Sequence, residues 1–108
     1  VSHVTTHVLD AALGRPAVGV AVALYDTDGA LVADGATDDD GRVSDLGPDA
    51  LPAGEYRIVF ETGVYFAASG VDGFYPRVTI DFELTDATAH YHVPLLLSPF
   101  AYSTYRGS

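Results

Sequence analysis

Short apolar runs, each cut off by Gly, Pro or Asp before it could span a membrane or build a long helix, recur along the whole of this chain. A chain punctuated in this way has to build sheets from short strands. The run His3 to Leu9 is rich in β-branched residues and stops at Asp10, ahead of a turn at Gly14-Arg15-Pro16. Val18 to Tyr25 reads as a second strand, and Asp26-Thr27-Asp28-Gly29 supplies the turn of a hairpin into Ala30 to Ala36. The acidic run Asp38-Asp39-Asp40-Gly41 breaks the pattern, and a short Arg42-Val43-Ser44 leads into a Gly/Pro-rich loop through Gly54. Glu55 to Glu61 alternates, with Tyr56, Ile58 and Phe60 on one face. Arg77 to Leu84 alternates again, Ala89 to Leu97 is long and apolar, and Phe100 to Arg106 is a last β-prone run. Thr62 to Ser69 lacks strict alternation, carries Ala67-Ala68 and stops at Gly70, so it is the one helix expected, about two turns long. Seven to eight such strands, with no repeat and no linker, predict an all-β sandwich occupying residues 1–108 as a single domain.

Composition narrows the function classes. At 108 residues the chain suffices for one core and not for two, and with 48% apolar residues it can pack that core without staples. Cysteine is absent, which excludes disulfides, thiolate metal sites and a Cys nucleophile. Five Arg, no Lys and fifteen acids give a net charge of −10, which opposes nucleic acid and anionic membrane surfaces as partners. No apolar run approaches the roughly 18 residues of a membrane span and no basic leader pattern opens the chain, so a soluble cytoplasmic domain is expected.

Strand periodicity then sorts the four histidines. Side chains alternate faces, so His3, Thr5, His7 and Leu9 share one face while Val4, Thr6 and Val8 share the other. His90, His92, Pro94 and Leu96 lie together in the same way, opposite Tyr91, Val93 and Leu95. The Val-bearing faces suit the core, so the histidines are expected to point outward beside Leu9, Pro94 and Leu96. So much apolar area calls for cover by another subunit. Three chemistries remain open for these rings: a metal pair at His90 and His92, hydrogen bonding at an interface, and general acid–base work near neutral pH. A Ser-His-Asp arrangement is disfavoured, since no Gly-x-Ser-x-Gly elbow exists. The triple Asp at 38 to 40 reads as a solvated turn, with too few oxygen ligands for Ca²⁺.

Four segments carry a family resemblance that periodicity does not supply. Thr6-His7-Val8-Leu9-Asp10-Ala11-Ala12-Leu13-Gly14-Arg15-Pro16-Ala17, Phe74-Tyr75-Pro76, His90-Tyr91-His92-Val93-Pro94-Leu95-Leu96-Leu97-Ser98-Pro99 and Tyr102-Ser103-Thr104-Tyr105-Arg106-Gly107-Ser108 resemble the transthyretin-like family, on its 5-hydroxyisourate-hydrolysing branch. Transthyretins share the Leu-Leu-Ser-Pro corner, but resemble this chain less at His7, at His-Tyr-His and at Tyr-Arg-Gly-Ser. The resemblance implies a transthyretin-like two-sheet sandwich with one short helix, forming a homotetramer with active sites in a channel between dimers. It implies hydrolysis of 5-hydroxyisourate without metal or cofactor, by His7, Arg42, His92 and Ser108, with Tyr105, Arg106 and Gly107 on the substrate side and His90 as a flanking residue. A carrier of a small hydrophobic ligand in the same channel is the alternative. The chemistry suits these residue types: imidazole can take a proton from water and return one to a leaving nitrogen, and a guanidinium matches a planar, oxygen-rich anion. Ser108 would offer a hydroxyl and, as the last residue, a carboxylate, with Gly107 letting the chain turn toward the histidines.

Overall fold

Residues 2–108 are described by a computed structural model. The strands are β1 (Val4–Asp10), β2 (Arg15–Pro16), β3 (Ala21–Tyr25), β4 (Leu31–Ala36), β5 (Arg42–Val43), β6 (Gly54–Phe60), β7 (Val78–Leu84), β8 (Tyr91–Ser98) and β9 (Ala101–Thr104), with helix α1 (Thr62–Ala68) between β6 and β7. They form two sheets. One has the order β2-β1-β8-β9 with β5 also on β1, and the other has the order β4-β3-β6-β7. The core lies between them, where the alternation placed it: Val4 and Val8 from β1 and Leu95 and Leu97 from β8 meet Leu24, Ile58 and Phe60 of the opposite sheet. Each such side chain contributes about 1.5–3 kcal/mol on burial.

Among the described residues nine strands form rather than seven to eight, because two-residue strands complete the first sheet. The expected turn at Gly14-Arg15-Pro16 closes earlier: the Gly14 N–H donates to the Asp10 carbonyl at 2.8 Å, which frees Arg15 and Pro16 to pair with Asp10 and Leu9. The second strand begins at Ala21 instead of Val18. Ahead of it, the Gly19 and Val20 amides donate to the carbonyl and hydroxyl oxygens of Thr37, at 3.0 and 2.9 Å, and these bonds hold the segment outside the strand.

The helix has no side-chain cap. Its anchor is Tyr65, whose hydroxyl donates to Asp10 Oδ2 at 2.8 Å, while Asp10 Oδ1 accepts the Ala12 and Leu13 amides. Asp10 is only 3% exposed, so these bonds compensate a buried carboxylate. Burial, followed by the bond to Asp10 and its negative charge, pushes the Tyr65 hydroxyl up to about 12.

For the site, the decisive pairing is β1 with β8. These strands are 80 residues apart yet run parallel, with Thr5 opposite His92 and His7 opposite Pro94. On the other side of β1, β5 runs antiparallel and sets Arg42 opposite His7.

Candidate active site

The three strands bring His7, Arg42 and His92 together, and the rings of His7 and His92 lie 6.5 Å apart between centroids. A cleft of about 440 Å³ beside them is lined by Thr5, Arg42, His90, His92 and Ser108, among others. His7 is half-buried and its Nε2 lies 2.8 Å from the Asp40 carbonyl oxygen. A carbonyl only accepts, so the Nε2 of His7 carries a proton and donates it there.

The acidic turn does more than face solvent. Asp38 Oδ1 accepts the amides of Asp40 and Arg42 at 2.9 and 3.0 Å, fixing both the carbonyl that holds His7 and the start of β5. The Arg42 amide foremost, with the Asp40 amide and the Arg42 charge behind it, holds the Asp38 carboxyl below its ordinary value against the opposing effect of desolvation. Gly41 closes the turn at φ 75°, and a Cβ there would stand 2.3 Å from the Val8 carbonyl oxygen. The Asp-x-Asp-Gly spacing ahead of Arg42 is the sequence signal that marks this support.

His92 is tied by Thr5. The Thr5 hydroxyl lies 2.8 Å from His92 Nδ1 and 2.9 Å from His90 Nε2. Both imidazoles of His-x-His therefore turn a ring nitrogen onto one hydroxyl instead of onto a shared metal position. Among the described residues, no group of three or more His, Cys, Asp or Glu is placed to hold a metal ion. Burial, and then the positive charges of Arg42, His7 and His90, push the His92 ring below the ordinary histidine value. It is thus a free base at neutral pH.

His3 departs from expectation. It is 5% exposed rather than outward-facing, donating from Nε2 to the Ala89 carbonyl and accepting the Leu51 amide at Nδ1, so it pins a loop. Pro94 is also buried and Leu9 and Leu96 are half-buried within the single chain, while Leu13, Val18, Phe100, Tyr102 and Tyr105 carry exposed apolar area.

Gly107 does not turn the chain. Its amide donates to the His92 carbonyl at 2.9 Å, and the His92–Gly107 bridge lies three residues further along the same antiparallel register as Leu95–Thr104. Glycine is needed there for closeness: a Cβ would stand 2.6 Å from His92 Cδ2 and 3.2 Å from Pro94 Cγ. This close approach sets Ser108 at the cleft. Tyr105 and Arg106 line a second cleft, of about 320 Å³, which His92 also borders. There the Arg106 guanidinium sits 4.4 Å from the centre of the Tyr91 ring. The Tyr91 hydroxyl accepts the Thr85 and Asp86 amides at 3.1 and 2.9 Å, and its contacts with Thr85 first, then the Asp86 amide, lower its ordinary value. Thr5, Asp38 and the Asp40 carbonyl are the supports that reading residue types had not singled out.

The family model described as HIUase/Transthyretin family matches residues 4–107. A 5-hydroxyisourate hydrolase of Salmonella typhimurium is 44% identical over 108 residues, covering 96% of this chain and 79% of its own. The structure of a Klebsiella pneumoniae 5-hydroxyisourate hydrolase superposes with a TM-score of 0.90 at 40% identity, covering 97% of this chain and 92% of that one. Sea bream transthyretin in complex with thyroxine superposes equally well, with a TM-score of 0.90 at 34% identity over 96% of this chain and 93% of that one.

Proposed function

The chain belongs to the HIUase/transthyretin family, and from that premise we propose that it is a hydrolase that opens the six-membered ring of 5-hydroxyisourate in urate degradation. The product is 2-oxo-4-hydroxy-4-carboxy-5-ureidoimidazoline. The observation that carries this reading is the facing pair His7 and His92, 6.5 Å apart, each with one ring nitrogen committed to a fixed partner and the other left for chemistry.

Water adds to a ring carbonyl of the substrate. His92, kept unprotonated by burial and by the charge of Arg42, takes the water's proton at Nε2. The expelled ring nitrogen needs a proton in return, and an imidazole of this pair supplies it. Arg42 presents its fork of donors to the oxygen-rich substrate and to the charge that builds on the attacked carbonyl. Ser108 contributes its hydroxyl at the same cleft. Gly107 keeps the segment against His92, and Tyr105 and Arg106 form the substrate's surroundings beside that ring. No cofactor enters these steps.

The enzyme works as a cytoplasmic homotetramer, with the exposed apolar side chains of each chain covered by its neighbours. Among the described residues no helix is long and apolar enough to cross a membrane. A carrier function is the competing reading, favoured by the likeness to a transthyretin solved with thyroxine. Three imidazoles and a guanidinium at the cleft are costly to desolvate for an apolar ligand and are needed for proton transfer. The test is the spectroscopic decay of freshly generated 5-hydroxyisourate with and without protein. Acceleration by the protein is expected, and an unchanged decay rate would overturn the proposal.

A further inference from the structure

Thr5 sits between the two imidazoles of His90 and His92. Its hydroxyl is buried and has two hydrogen-bond partners, His92 Nδ1 at 2.8 Å and His90 Nε2 at 2.9 Å. A threonine hydroxyl owns one proton and two lone pairs, so it can donate to only one ring and accepts from at least one of them. Two patterns place the Thr5 proton between the two rings. In the first, His92 Nδ1–H donates to Thr5 and Thr5 donates to His90 Nε2, leaving His92 Nε2 bare. In the second, His90 Nε2–H donates to Thr5 and Thr5 donates to His92 Nδ1, leaving the His92 proton on Nε2. The first is His92 ready to act as a base, and the second is His92 ready to act as an acid.

We propose that Thr5 and His90 form a proton relay between His92 and solvent, resetting His92 from base to acid and back within each turnover. This rests on the hydrolase reading above. When His92 Nε2 takes a proton from water, Nδ1 releases its own to the Thr5 oxygen as the Thr5 hydroxyl proton passes to His90 Nε2. His90 then sheds its Nδ1 proton to solvent, which it can reach because it is exposed on the chain. His92 now carries its proton on Nε2. As that proton goes to the leaving nitrogen, His90 takes one from solvent at Nδ1 and returns its Nε2 proton to Thr5, whose own proton moves to His92 Nδ1. Every atom regains its starting proton count. His7 and Arg42 also face His92, but His7 commits its Nε2 proton to the Asp40 carbonyl. Neither of these side chains hydrogen-bonds Nδ1 of His92 among the described residues.

The test compares Thr5→Val, Thr5→Ser and His90→Ala. Thr5→Val keeps the shape and removes the hydroxyl; Thr5→Ser restores it. Turnover should fall about tenfold or more in Thr5→Val and in His90→Ala, stay within a few-fold of the parent in Thr5→Ser, and recover in His90→Ala with added imidazole. Equal rates for Thr5→Val and Thr5→Ser, or a slow His90→Ala indifferent to imidazole, would overturn the relay, since packing alone would then explain the losses. Nitrogen-15 NMR of the resting protein gives a reading without substrate. The His92 tautomer, read as which ring nitrogen carries the proton, should switch on protonation of His90 in the parent and not in Thr5→Val, where only the through-space effect of the His90 charge persists. A parent without that tautomer switch also overturns the relay. A parent that shows this response yet leaves 5-hydroxyisourate decay unchanged would sink the hydrolase reading and not the coupling. His90 is on the surface, so its substitution keeps the test available should Thr5→Val fail to fold.

Discussion

His92 owes its free-base character to burial first and to the neighbouring positive charges second, and that order fixes what acid should do. Its folded-state value lies below the unfolded one near 6.5, so on acidification the unfolded chain takes up the proton first. This group's share of stability is therefore present above about pH 6.5 and lost as the pH falls toward the folded value. The acid limb of the rate profile should likewise lie below that of an ordinary histidine. Arg42→Ala removes one of the charges that depress it, and should move the limb toward neutrality while lowering the rate by roughly 10²-fold. A pH–rate profile of the variant checks this, and an unmoved limb would refute the coupling. Gly107→Ala tests the close approach. The new methyl has His92 Cδ2 at 2.6 Å, and Thr5 restrains that ring from the opposite nitrogen, so activity should drop while thermal unfolding stays cooperative. An alanine variant with full activity would mean that the segment can shift at no cost.

Elements that present the site are held by polar side chains within turns. Asp38 organises the start of β5 through the amides of Asp40 and Arg42. Asp38→Ala should loosen both Arg42 and the carbonyl that fixes the His7 tautomer, slowing turnover about tenfold with little change in melting temperature, as for a lost Asx turn at the surface. A variant that melts much earlier would instead make Asp38 a folding residue. The helix makes the opposite case. Tyr65→Phe leaves Asp10 Oδ2 buried without its donor and should cost about 1–3 kcal/mol in denaturant unfolding, with kcat hardly affected. The run Thr62 to Ser69 was legible as a helix from its missing alternation. Its anchor was not, because Asp10 is 55 residues away from Tyr65.

At the scale of the whole molecule, the exposed Leu13, Val18, Phe100 and Tyr102, with Tyr105 at 57%, carry more apolar surface than a lone chain should leave in water. Sedimentation at micromolar concentration is expected to give a tetramer mass, and a monomer would refute the assembly. The amino-acid sequence by itself determined the sandwich, the helix and the core faces. It also put His7 and His92 on faces away from the core. All of these follow from period-two alternation and turn chemistry, which act over a few neighbouring residues. Tertiary structure decided the rest. The parallel register of β1 on β8 put Thr5 between His90 and His92, and the turn at Asp38 to Gly41 brought its carbonyl to His7. It buried His3 under its loop and ran Gly107 on in register with β8. Those contacts join residues more than 30 positions apart, except Gly107 with His92, where the fit of a backbone against a ring decides. A one-residue slip of β1 on β8 would have taken Thr5 from between His90 and His92 while leaving every local propensity unchanged.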